Sequence, residues 1–182
     1  ALNFSGNFDR VEVADPADGH LDFGAGDFSV SYWFNSTQTI ATQTRLVGKA
    51  LSSGAPGFVF YRMNSDLTLH TDDGTSSTNL TATNLMDGSW HHVVGTREGN
   101  TFTLYVDGVA VDSNTTSIGS ISNAEALKFG ASSGTGGDYD GVLDEVQLYN
   151  RSLNFTEVQQ LAGVTSTVNS VIVTTVTDIN ES

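Results

Sequence analysis

Gly26-Asp27-Phe28-Ser29-Val30-Ser31-Tyr32-Trp33-Phe34 is the stretch that decides the fold. Phe28, Val30, Tyr32 and Phe34 alternate with Ser29, Ser31 and Asn35, the period-two pattern of a strand with one buried face, and Trp33 interrupts the polar side. Outward from it, strands are expected at Gly57 to Arg62, Leu67 to Thr71, Trp90 to Arg97, Thr101 to Val106, Ala126 to Gly130 and Val142 to Tyr149. Between them stand Asp73-Gly74, Asp87-Gly88, Glu98-Gly99-Asn100 and Asp107-Gly108, residue types that accept the positive φ of tight turns. Helical periodicity occurs once, in Asn154 to Leu161. There Asn154 and Glu157 are spaced as a capping box, and Gly163 is placed to end the helix. The pattern predicts one all-β domain over residues 1–163 with a single short C-terminal helix. From Val164 to Ser182 the composition shifts to Val, Thr, Ser, Asn and Ile, so residues 164–182 read as an extended β-prone tail, either a linker or a strand seeking a sheet.

Charge narrows the partners. Against 21 acidic residues stand 7 basic ones, a formal net charge of −14, and such a field repels nucleic acid and anionic lipid surfaces. The acidity fits a salty or divalent-rich exterior, and equally fits plain solubility. Without cysteine there is no disulfide framework, thiolate metal site or cysteine nucleophile. No apolar stretch approaches the roughly 20 residues that span a bilayer, so membrane insertion is not expected. The chain opens on a strand-like segment with no leader, as a mature protein or an excised domain would. Sequons begin at Asn3, Asn35, Asn79, Asn114, Asn150, Asn154 and Asn180, candidate glycosylation sites if the protein is exported.

Four segments in order carry a resemblance that spans nearly all of residues 1–163. They are Ala1-Leu2-Asn3-Phe4-Ser5-Gly6 with Asp9-Arg10-Val11-Glu12-Val13; the Gly26 to Phe34 strand; Asp87-Gly88-Ser89-Trp90-His91-His92-Val93-Val94 leading to Leu104-Tyr105-Val106-Asp107-Gly108; and Gly141-Val142-Leu143-Asp144-Glu145-Val146-Gln147-Leu148-Tyr149 continuing through Asn150-Arg151-Ser152-Leu153. Together they resemble the laminin-G-like jelly rolls of the concanavalin A-like lectin/glucanase superfamily. The resemblance implies an antiparallel β-sandwich of two sheets, first and last strands paired, with a concave face or loop rim for a ligand. It does not specify the ligand, because one fold hosts many functions.

Counting by twos places Asp144 on the apolar face with Val142, Val146 and Leu148, where a carboxylate needs a partner. In domains that this one resembles, that aspartate often ligates a structural Ca²⁺ beside the first strand turn, which would recruit Asn7 or Asp9 here; the other reading is that Asp144 accepts backbone N–H groups at a bulge. His91 and His92 are neighbours on a strand and point to opposite faces, which prevents chelation of one ion. Trp33 and Trp90 suit a sugar-stacking platform, although the resemblance places their segments in the core. Loop groups suited to ligand contact are Asn64, Asp66, Asp72, Asp73, Asp138, Tyr139 and Asp140.

The spacing Glu-x-Asp-x-x-Glu of the superfamily's glucanases is not found, so a glycan-degrading enzyme is the least favoured reading. The first expectation is an extracellular or cell-surface carbohydrate-binding or adhesion module, non-catalytic, whose partner is a glycan or cell-surface protein. The alternative is a self-assembling filament or layer subunit that exchanges its C-terminal tail with copies of itself as a β-strand.

Overall fold

The computed structural model describes residues 1–6, 9–50, 54–130 and 138–164. In chain order the strands are β1 (Leu2–Ser5), β2 (Val11–Val13), β3 (Phe28–Asn35), β4 (Thr44–Lys49), β5 (Gly57–Met63), β6 (Asp66–Asp72), β7 (Ser77–Ala82), β8 (His91–Glu98), β9 (Thr101–Val106), β10 (Val109–Thr115), β11 (Leu127–Phe129) and β12 (Asp140–Tyr149), followed by helix α1 (Phe155–Leu161). They form two antiparallel sheets of six strands, ordered β1-β12-β3-β8-β9-β10 and β2-β11-β4-β5-β6-β7. This is a β-sandwich consistent with a jelly roll. First and last strands do pair, with Leu2 opposite Leu143. The opening segments do not pair with each other: β1 joins one sheet and β2 the other.

The alternation read in β3 is the reason the sandwich closes. Phe28, Val30, Tyr32 and Phe34 are fully buried, and Tyr32 meets Phe60 of the facing sheet edge-on at 5.2 Å. Ser29 and Ser31 turn outward. Ser29 Oγ accepts from Leu153 N and donates to Arg151 O, which draws the end of the chain back over the sheet. That segment leads into α1, whose capping box forms as its sequence requires: Glu157 N donates to Asn154 Oδ1 at 3.0 Å and Asn154 N donates to Glu157 Oε2 at 2.9 Å. The helix lays Val158 and Leu161, with Leu153, over Val94, Tyr105 and Tyr149, a second and smaller apolar cluster on the outer face of the sheet.

Three strands escape the sequence pattern: β4, β7 and β10. In β4 the charged Lys49 is buried, its ammonium held by Asp15 at 3.0 Å, Asp22 at 2.9 Å and the Asn123 carbonyl. In β10 nearly every residue is exposed, so no apolar face marks it. The β-prone tail expected over residues 164–182 lies outside the described residues, apart from Val164.

Candidate functional site

A bulge in β12 overturns the parity that put Asp144 inside. Asp144 stands opposite Trp33 and Gln147 opposite Ser31, so Glu145 and Val146 together face the single residue Tyr32. Glu145 absorbs the extra residue in a left-handed conformation, φ 48. The apolar side of the strand is therefore Leu143, Val146 and Leu148, while Asp144 emerges on the outer face with its side chain 43% exposed. Its carboxylate meets the Ala1 ammonium at 3.1 Å and accepts from Glu145 N at 3.0 Å, and these two contacts hold it below the usual aspartate range.

Next to Asp144 the outer face of the sheet sinks into a shallow depression of about 350 Å³. Trp33 of β3, Trp90 just before β8, and Asp144 and Glu145 of the bulge form one side; Gln160, Leu161 and Gly163 at the end of α1 form the other. The expectation that both tryptophans lie in the core is corrected here. Trp90 is 46% exposed and Trp33 is half-buried, because Trp33 belongs to the serine side of β3 and α1 covers only the part of that face around Val94. Asp87 shapes the turn that presents Trp90 by accepting from Ser89 N at 2.7 Å. Of the lining groups, sequence reasoning missed Glu145 and Gln160. The only signal was a pair of adjacent carboxylates inside a strand, which parity alone cannot keep on one face.

The bulge stores strain, since a non-glycine residue in the left-handed region costs about 1 kcal/mol. Glu145→Gly is accordingly expected to raise the unfolding free energy by up to about 1 kcal/mol in a denaturant titration while removing one carboxylate from the depression. A loss of stability would show that Glu145 makes compensating contacts.

His92 is the cross-strand neighbour of Trp33, ring centroids 5.1 Å apart, and its Nε2 is 2.9 Å from Ser31 Oγ. Burial lowers its pKa from 6.5 to about 4, only partly opposed by the Asp107 carboxylate. The folded protein thus binds fewer protons than the unfolded chain between these values. Stability should fall as pH drops from about 6.5 to about 4 and show no further loss from this group below that. Thermal unfolding of the protein and of His92→Phe across this range checks it: the variant should lose that part of the slope. His91 faces the opposite way, between Asp107 at 2.8 Å and Asp87 at 3.3 Å.

The loop groups expected to touch a ligand have structural duties. Asp72 is buried and accepts from Gly54 N and Gly74 N, and Asp73 accepts from Thr75 N and Ser76 N in the next turn. Asp66 accepts from Asn84 N, and Asn64 holds a left-handed turn position, φ 56. Tyr139, expected as an exposed aromatic contact, is in the core: it packs on Phe4 at 5.7 Å and its hydroxyl donates toward the carbonyls of Asn35 and Val142. The Asp138 carbonyl accepts from Gln38 Nε2, and Asp140 starts β12. Asn7, with the Gly-rich segment 131–137 and Asn180, lies outside the described residues.

Of the residues expected around calcium, Asp9 and Asp144 are described and stand apart, while Asn7 lies outside the described residues. Asp9 accepts from both Ser5 N at 2.8 Å and Ser5 Oγ at 2.6 Å, so it belongs to the end of β1 where Ser5 faces Asp140. Asp144 is next to Leu143, which pairs with Leu2, three residues or roughly 10 Å away along the strand. Among the described residues no group of three His, Cys, Asp or Glu side chains could hold a metal. Of the described sequon asparagines, Asn154 caps α1 and Asn35 donates to the Gly88 carbonyl, while Asn3, Asn79, Asn114 and Asn150 are exposed.

A second surface recess, about 180 Å³, crosses the outer face of the other sheet between Arg45, Tyr61, His70 and Asn79. Its polar groups are engaged with their neighbours: His70 Nδ1 is 2.8 Å from Asn79 Oδ1, and Arg45 donates to the Ala50 carbonyl.

Comparison with known proteins agrees with the architecture. Solved structures with this fold include the binding domain of Paraclostridial Mosquitocidal Protein 1, with a TM-score of 0.74 at 19% identity over 88% of this chain and 42% of that one. The binding domain of botulinum neurotoxin serotype D superposes with a TM-score of 0.73 at 13% identity over 88% and 41% of the two chains. That of serotype G gives 0.71 at 14% identity over 90% and 42%. This chain thus spans about two fifths of the length of these structures. A search among curated proteins found no match. The family model for the concanavalin A-like lectin/glucanases superfamily matches residues 5–159, and with that match, on two six-stranded antiparallel sheets, the chain belongs to this superfamily.

Proposed function

We propose that this protein is a non-catalytic carbohydrate-binding module acting outside the cell, and that its ligand stacks in the depression between Trp33 and Trp90. The single observation that carries this reading is the exposure of both tryptophans of the chain on one outer face, beside Asp144, Glu145 and Gln160. Indole faces suit the C–H surface of a pyranose ring, while carboxylates and amides accept from and donate to its hydroxyls. The bulge fixes Asp144 and Glu145 at the rim, α1 carries Gln160, β3 positions Trp33 and the turn before β8 positions Trp90, so little is lost on ordering the site. Binding domains of toxins share the fold, which supports recognition over catalysis. Affinity electrophoresis through gels containing neutral or amine-bearing polysaccharides tests the reading. Retardation of the protein on at least one of them, weakened about tenfold in affinity by Trp90→Ala, is expected; unretarded migration on every polysaccharide would contradict it.

A further inference from the structure

Resting on the saccharide reading above, we infer that the depression selects sugars carrying protonated amines over neutral sugars and rejects sugars carrying sulfate or carboxylate. The basic side chains are all engaged away from the depression. The protein has 7 basic side chains, all among the described residues. Lys49, Arg62 and Arg97 are buried and spend their donors on Asp15 and Asp22, on Gln38, Ile40 and Thr44, and on the carbonyls of Gly99 and Gly119. Arg10, Lys128 and Arg151 are ion-paired with Glu12, Glu125 and Glu157, and Arg45 donates to the Ala50 carbonyl. None of the seven lines the depression. An acidic sugar seated on Trp33 and Trp90 would meet Asp144 and Glu145 with no basic side chain to compensate, inside the field of a chain of net charge −14.

An ammonium meets the opposite situation. The faces of Trp33 and Trp90 offer cation–π attraction. The Ala1 ammonium is on Asp144 Oδ1, whereas the Glu145 side chain has no ion pair or hydrogen bond among the described residues and is exposed at the rim. A protonated glucosamine-type amine near Glu145 gains both contacts, and the surrounding negative field raises its local concentration.

The test is isothermal titration of the full chain with three short oligosaccharides of equal length: a β-linked glucosamine oligomer, its N-acetylated counterpart, and a sulfated counterpart, at a pH where the amines are protonated. At low salt the amine oligomer is expected to bind about tenfold tighter than the N-acetylated one, the sulfated one not measurably, and added NaCl should shrink the difference. Glu145→Gln should reduce the preference severalfold while keeping affinity for the N-acetylated oligomer. Equal affinity for the amine and N-acetylated oligomers, or preference for the sulfated one, overturns the inference and leaves the saccharide reading standing; silence with all three overturns both. Trp90→Ala retains the net charge of −14, so if this variant binds the amine oligomer as the parent does, bulk charge and not the depression is responsible, and the inference falls.

Discussion

Trp33→Ala/Trp90→Ala should abolish measurable saccharide binding, with each single substitution costing about tenfold in affinity. Each indole face lost from a stacked sugar removes about 1 kcal/mol beyond its area burial, and tenfold corresponds to about 1.4 kcal/mol. The two rings line one depression and would hold adjacent surfaces of one ligand, so the losses need not sum. The fold should survive. Trp90 is half-exposed, and Trp33 packs beside His92 on the outer face, so neither removal opens the sandwich core. Retained cooperative unfolding together with lost binding is the expected pair of results. A double variant that binds as the parent does would move the site elsewhere, the recess around Tyr61 and His70 being the next place to look.

Gly130→Ala is expected to lower stability by about 3 kcal/mol. Gly130 follows β11 with φ 90, a conformation that already disfavours any other residue by about 1–2 kcal/mol. A Cβ there would fall 2.3 Å from the Phe4 ring and 3.0 Å from the Asp9 carbonyl. Phe4 cannot yield easily, because it is buried and its ring packs on Tyr139, so overpacking adds a further 1–3 kcal/mol. The same glycine donates to the Leu46 carbonyl and accepts from Tyr139 N, which makes it the point where β1, β4 and the segment before β12 meet. Denaturant unfolding of the variant measures the loss. A change under 1 kcal/mol would mean that Phe4 shifts freely, contrary to its tight seat against Tyr139.

Gly130 and Tyr139 also show why parts of the site were illegible in the sequence. Tyr139 lies between two aspartates after a glycine run, a context that reads as loop. What buries it is the long-range pairing of β1 with β12, which brings Phe4 over its ring. Local pattern was sufficient wherever one residue in two faced the core without interruption. It served for β3, for β9, whose bounds Thr101 to Val106 coincide with those expected, and for α1 with its capping box. It failed where an extra residue broke the count, as at Glu145, and where polar residues were buried by partners distant in sequence. Lys49 closes β4 on two aspartates more than twenty-five residues away, partners that no local pattern reveals. The family resemblance was right about the framework. It was unhelpful for Trp33 and Trp90, because a position shared across a fold says nothing about how much of an indole the last helix leaves uncovered.

The placement of the ligand can be read with no substitution at all. The chain has only two tryptophans, Trp33 and Trp90, and both line the depression. A two-dimensional ¹H–¹⁵N spectrum should therefore contain two indole N–H signals, both reporting on the proposed site. On titration with the saccharide that the protein retains in affinity gels, both indole signals are expected to move along one saturating curve, together with the backbone amides of Asp144 and Glu145. Saturable binding of that saccharide with both indole signals stationary would place the ligand on another surface and contradict the account.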